Sequence, residues 1–285
     1  EKVFISWVGP RGIVAAGIAS LFGSKLIYRG EPGAEFITPL VFTIVLGTVL
    51  LNATTARPFA KLIGVFLTKS EGILIVGASK ASRLIGRYLQ RNNRHVVLID
   101  SNESNIDKAQ KAGLEAISAN IYADNLTDNI ELNDVGYLIA MTGNPDINKY
   151  AIEKFQEEFG ENGSFRIVGT EEINNPENAE NYTLFSTTDD FVRFLEAVRM
   201  SPAIREIALK DSKHYTELAE KARDSPGIVP LFLKSPDGVL HIIPSFFRES
   251  REITEGFKLV YMGNSLSVGA EKEVEKVLTL PAGAS

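Results

Sequence analysis

The residues best placed to do chemistry lie between two apolar runs, in GILIVGASKASRLIGRYLQRNNRHVVLID, residues 72–100. The turn Gly77-Ala78-Ser79-Lys80-Ala81-Ser82, with Asp100 behind it, holds part of a dinucleotide fingerprint. In the full pattern three glycines allow a tight turn, close approach of a pyrophosphate and helix–strand packing, and an acidic residue about 20 positions later takes a ribose hydroxyl. Here the first glycine is Gly77 and the acid is Asp100, while Ser79 and Ser82 replace the other two glycines. Ser79 puts a side chain where the backbone should meet a pyrophosphate, although its hydroxyl can also donate to one. Ser82 is small enough to keep the packing, and the helix N-terminus still presents N–H groups to an anion. Two uses fit these residues, a ligand-binding turn and a purely structural one.

Other polar residues fall at the ends of later apolar runs: Ser101, Asn120 and Asp124, then Thr142, Gly143 and Asn144, with Asp146 and Asn148 just beyond. In a doubly wound sheet the ligand sits beyond the carboxyl ends of the strands, so these residues are expected at one edge with Asp100. Ser101, Asn102 and Asn144 also suit helix capping. The candidate binding set is therefore Gly77, Ser79, Ser82, Asp100, Ser101, Asn120, Thr142 and Asn144. His214 and His241 are isolated in sequence, and no triad, paired-carboxylate or zinc pattern is present. The absence of cysteine excludes disulfides, thiolate metal sites and thiol catalysis.

Positioning these residues requires strands alternating with helices. ILIV, HVVLID, Ala116–Ser118, Tyr137–Thr142 and Arg166–Gly169 read as strands. Helices are expected from Gly77 to about Gln90, over Ile106–Ala112 and over Asp146–Phe159. That alternation predicts a parallel, doubly wound α/β sheet. Residues 186–285 differ: a short strand and helix in SPAIREIALKDSKHYTELAEKARD precede two runs around the turn Ser235-Pro236-Asp237-Gly238, and GFKLVYMG follows. We read them as an accessory helix with a small, mostly antiparallel β module.

The 285 residues carry a net charge of −6 and a mean hydropathy near zero, but the average conceals a division. Residues 1–70 hold seven basic against three acidic residues, a balance of +4, while the remainder holds 23 against 33, a balance of −10. An acidic body lacks the positive face that nucleic acid requires. In the head, Val3 to Leu26 carries one charge, Arg11, between Lys2 and Lys25; Phe36 to Leu51 carries none and continues uncharged through NATTA to Arg57. Each run reaches the roughly 20 residues needed to cross a bilayer, and GSKLIYRGEPGAE between them makes the pair a transmembrane helical hairpin. Residues 57–67 read as a short interfacial extension. Arg57, Lys61 and Lys69 place the body in the cytoplasm by the positive-inside rule. Arg11 is then an intramembrane charge, which must face a bundle interior or cavity and pair with a carboxylate, with Gly9, Pro10 and Gly12 opening the backbone beside it. A chain starting at Glu1 and entering directly into an apolar run is expected to be the C-terminal portion of a larger protein. Three domains follow: 1–69, the membrane helices; 70–185, the α/β domain; 186–285, the accessory module.

WVGPRGIVAAGIASLF followed by TPLVFTIVLGTVLLNATTARPFAKLIGV resembles the last two transmembrane helices of bacterial sodium (or potassium)/proton antiporters of the cation:proton antiporter superfamily. GILIVGASKASRLIGRYL, VVLID and IAMTGNPDIN resemble the RCK (TrkA-N) regulators of K⁺ transport. The resemblance implies exchange of Na⁺ or K⁺ for H⁺ by alternating access in the inner membrane, with ion-binding aspartates on helices absent from this sequence. It implies that Arg11 stabilises the transport core by pairing with an acidic residue of another helix. It also implies that the RCK-like domain binds NAD(H) or an adenine nucleotide and biases the membrane domain, often as a homodimer. On this reading the protein is a transporter and not an enzyme. Two rivals remain: a K⁺ channel gating subunit and a membrane-tethered NAD-dependent oxidoreductase, the latter lacking a visible catalytic group.

Overall fold

The structure is a computed structural model that describes residues 2–8, 13–62, 71–122, 134–174, 183–185, 189–243, 252–266 and 276–281. The chain divides into two compact units, Glu1–Thr68 and Lys69–Ser285.

The first unit holds α1 (Lys2–Val8), α2 (Ile13–Tyr28), a 3-10 turn (Ala34–Phe36) and α3 (Ile37–Leu62). Helices α2 and α3 pack together: Thr38 Oγ1 donates to the Ala19 carbonyl at 3.3 Å. Near the other end of α3, Trp7 Nε1 donates to Thr55 Oγ1 at 3.2 Å, and the Trp7 and Phe59 rings lie 5.0 Å apart. Within the first apolar run, expected as one helix, the described residues Lys2–Val8 (α1) and Ile13–Tyr28 (α2) are helical. Arg11, Gly9, Pro10 and Gly12 lie outside the described residues. Among the described residues, one helical segment is long and apolar enough to cross a membrane: Ala34–Ala60, 27 residues, only 6% of whose apolar window is buried. That exposure sets it apart from a core helix. With 16 residues, α2 is shorter than the span of about 20 that a bilayer demands. Residues 57–62, expected as a separate extension, are the last turns of α3, which runs on through Pro58.

The second unit opens with β1 (Gly72–Val76), α4 (Lys80–Arg91), β2 (Val96–Asp100), α5 (Glu103–Lys111) and β3 (Glu115–Ser118). It continues with β4 (Val135–Ala140), α6 (Pro145–Phe159), β5 (Gly163–Arg166), α7 (Thr170–Asn174) and α8 (Phe191–Met200). The five strands form a parallel sheet in the order β3-β2-β1-β4-β5. Strand β1 is buried throughout, as a central parallel strand covered on both faces must be. Its alternate residues serve different cores: Ile73 and Ile75 face one cluster, Leu74 and Val76 the other.

Two strands begin earlier than expected. Strand β4 spans 135–140 rather than 137–142, and β5 spans 163–166 rather than 166–169. The ladder explains both, since Ala140 pairs with Arg166 and no β4 residue remains beyond it. Past Ala140 the chain leaves the sheet, and the Thr142 amide turns to the Asn148 side chain.

The chain then forms β6 (Ala203–Ala208), α9 (Ser212–Asp224), β7 (Ile228–Lys234), β8 (Leu240–Ile242), β9 (Lys258–Gly263) and β10 (Lys276–Thr279). These strands make a second, wholly antiparallel sheet in the order β10-β6-β9-β7-β8. Strand β10, which the pattern did not reveal, adds one edge. The two sheets share a core. Ala81, Leu84, Ile85, Tyr88 and Leu89 recur on one face of α4 at helical spacing, and they pack in a cluster with Phe194 of α8 and with Phe232, Val260 and Leu278 of the second sheet.

Candidate functional site

The parallel sheet delivers its polar strand ends to one edge, where a cavity of about 500 Å³ opens. Of the candidate residues, Gly77, Ser79, Asp100, Ser101, Asn120, Thr142 and Asn144 line it. Ser82 does not: it is fully buried beneath Ser79. Asp124 lies outside the described residues.

Gly77 ends β1 with φ +101°, a conformation side-chain-bearing residues rarely adopt. A Cβ there would lie 2.9 Å from the Met141 carbonyl oxygen, so glycine is required for the close pass of β1 against β4 as well as for the turn. The next peptide is clamped from both sides. The Ala78 N–H donates to Asp100 Oδ2 at 2.8 Å, and the Ala78 carbonyl accepts from Arg83 Nη1 at 2.6 Å. Arg83 is 2% exposed, and burial pulls its guanidinium below the ordinary arginine range against the opposing charge of Asp100. Among the described residues, its Nε has no hydrogen-bond partner.

Asp100 is held in place by the protein. Oδ2 accepts from Ala78 N–H and from Asn105 Nδ2 at 3.0 Å, and Oδ1 accepts from Asn102 N–H at 2.9 Å. A carboxylate offers about four acceptor positions, so Oδ1 retains one for a ligand hydroxyl.

Four helices start at the cavity, and a side chain caps each, with Asp190 Oδ1 accepting from Arg193 N–H at 3.0 Å at the start of α8. Ser79 Oγ accepts from Ser82 N–H at 3.2 Å and lies 2.9 Å from Ser82 Oγ. Asn102 Oδ1 accepts from Ser104 N–H at 2.9 Å at the start of α5. Asn144 Oδ1 accepts from the N–H groups of Asp146 and Ile147 at the start of α6. The remaining walls are Ile121, Met141, Ile147, Phe191 and the rim residue Tyr122, whose ring lies 4.6 Å from that of Tyr150. Asn148, 1% exposed, fastens the β4 end through Thr142 N–H and Oγ1 to its Oδ1 and through its own Nδ2 to the Thr142 carbonyl.

Arg83, Asn105, Tyr122 and Phe191 were not evident from sequence. Asn105 stands one helical turn past its own cap, a local signal that could have been read. Phe191 arrives from the start of α8, and nothing near the turn announces it.

Residues 73–191 match the TrkA-N domain family model, so this stretch is a TrkA-N domain, and the match ends at Phe191 in the cavity wall. No curated protein sequence matches the chain. Among solved structures, the crystal structure of the GsuK RCK domain is similar at 15% identity and a TM-score of 0.33, over 69% of this chain and 44% of that one. The GsuK channel is similar at 13% identity and a TM-score of 0.33, over 82% and 46%. This chain therefore spans less than half the length of either.

Proposed function

We propose that this chain is the C-terminal part of a monovalent cation (Na⁺ or K⁺):proton antiporter, in which the TrkA-N domain senses a nucleotide-type ligand and biases transport. The reading rests on one juxtaposition: the chain that carries the TrkA-N cavity also carries a 27-residue apolar helix with almost none of its apolar window buried. In this reading the helices of residues 1–69 sit in the inner membrane, residues 70–285 are cytoplasmic, and the assembly is a homodimer. Arg11 holds a carboxylate of an upstream helix, since a fixed positive charge on the ion path would repel the cation. The protein is a secondary transporter and catalyses no covalent chemistry.

The cavity residues suit the ribose end of such a ligand. Asp100 offers one acceptor position, and Ile121, Met141, Phe191 and Tyr122 form apolar walls. A volume near 500 Å³ falls among ordinary small-molecule sites. A ligand reorganising the Gly77–Ser82 turn acts directly on α4, whose inner face is packed into the core shared with the second sheet.

The test is cation-dependent proton flux in vesicles carrying the whole transporter, with and without Arg11→Ala and Asp100→Ala. The expected result is lost exchange in the first variant and lost ligand response, with exchange retained, in the second. Unchanged coupled flux in Arg11→Ala overturns the assignment of Arg11. Uncoupled K⁺ conductance in place of exchange overturns the antiporter reading in favour of a channel gating subunit.

A further inference from the structure

We infer that the cavity selects an uncharged nucleoside over a dinucleotide or nucleoside polyphosphate. This rests on the nucleotide-type reading of the site and specifies its ligand class.

An anion at a Rossmann-type edge is normally held by helix N–H groups and the positive end of the helix. Here four helices start at the cavity and each gives one or two of its first N–H groups to a capping side chain, α4 to Ser79, α5 to Asn102, α6 to Asn144 and α8 to Asp190. Ser79, Asn102 and Asn144 themselves line the cavity. The α4 cap is the decisive one, because Ser79 stands at the fingerprint position where glycine would let a pyrophosphate approach. Its Oγ instead accepts from Ser82 N–H and pairs with Ser82 Oγ, so the second serine reinforces the first. The Ala78 N–H, one residue earlier, is spent on Asp100.

Side chains do not compensate. Among the described residues lining the cavity, none is lysine or arginine, and Asp100 is the one charged group. The nearby cation, Arg83, does not line the cavity; it is buried and directed to the Ala78 carbonyl. Each added phosphate would therefore bring negative charge toward a carboxylate with no lysine or arginine among the described lining residues to offset it. A ribose needs none: one hydroxyl donates to the open position on Asp100 Oδ1. A base has the ring of Tyr122 at the rim and Phe191 in the wall.

Titration calorimetry of the full chain, purified in detergent, with adenosine, AMP, ADP and NAD separates the cases. Adenosine is expected to bind at least about tenfold more tightly than ADP or NAD, a difference of about 1.4 kcal/mol, with AMP between. Ser79→Gly restores the fingerprint glycine, and glycine in place of a serine cap costs a helix only a few tenths of a kcal/mol, so the variant folds. In it the NAD-to-adenosine affinity ratio is expected to rise by about tenfold. NAD or ADP binding the unaltered chain as tightly as adenosine overturns the inference while leaving the nucleotide-type reading intact, as does an unchanged ratio in Ser79→Gly. If none of the four ligands binds, the nucleotide-type reading itself falls and takes the inference with it.

Discussion

Tyr88 donates its phenolic hydrogen to Glu206 Oε1 at 2.8 Å, joining the helix that starts at the ligand turn to the first strand of the antiparallel sheet, 118 residues away. Glu206 is 4% exposed and also meets Lys234 Nζ at 3.4 Å and Lys258 Nζ at 3.2 Å. Burial alone would push its carboxyl up, but Tyr88 and the two lysines outweigh that and hold it below the ordinary glutamate range. Burial and the Glu206 charge in turn push the Tyr88 hydroxyl well above its ordinary pKa.

Tyr88→Phe removes the hydrogen bond to a buried charge together with the hydroxyl's hydrogen bond to the Asn92 side chain. The expected loss is about 2 kcal/mol of unfolding free energy, read from urea denaturation. Because the Glu206 carboxyl is depressed, its contribution is present above the unfolded glutamate pKa and disappears as pH falls through the lower folded value. The variant and the parent should therefore converge in strong acid. A variant as stable as the parent at neutral pH would show that the bond joins two surfaces already held by packing.

At the opposite edge of the parallel sheet, His95 is gripped from both sides, Nδ1 by Asp134 Oδ2 at 2.8 Å and Nε2 by Glu115 Oε2 at 3.0 Å. Burial lowers its pKa, but the two carboxylates outweigh burial and raise it. A raised histidine pKa stabilises fully below the unfolded value of about 6.5 and is lost as pH rises through the folded value. Unfolding free energy should therefore fall from pH 6 toward alkaline pH, and His95→Gln should flatten that slope. The change is under about 1 kcal/mol, since the ring is partly exposed and solvent screens the pairs.

Asp100→Asn keeps the shape but replaces one accepting oxygen with a donor. One of the N–H groups of Ala78 and Asn102 then loses its acceptor, at about 1–3 kcal/mol. Unfolding should register that loss, and calorimetry should register weaker adenosine binding. Full stability with full binding would remove Asp100 from the centre of the site.

Gly77→Ala forces a side chain onto a φ of +101° and into the Met141 carbonyl. Left-handed backbone alone costs about 1–2 kcal/mol, so a loss of about 2 kcal/mol or more is expected, with a lowered thermal midpoint as the readout. A midpoint unchanged from the parent would mean that β1 and β4 can part without penalty.

The sequence by itself determined the features that depend on neighbours along the chain. Continuous apolar runs specified β1 and β2, the uncharged run from Phe36 to Arg57 specified the exposed helix, and Asn102 and Asn144 specified their own caps because an N-cap needs only residues two or three positions on. Gly77 and Asp100 were legible for the same reason, as spacing within one strand–helix–strand unit. Tertiary structure decided what those groups are free to do. That Ala78 N–H is taken by Asp100, that Arg83 is turned away to a carbonyl, that Phe191 closes the wall and that Tyr88 meets Glu206 all depend on contacts between segments distant in sequence. Such contacts are set by how the sheets pack, and no local pattern encodes them. The serines at 79 and 82 show the division most clearly: the sequence left open whether they donate to a phosphate or serve the fold, and the folded turn pairs them with each other.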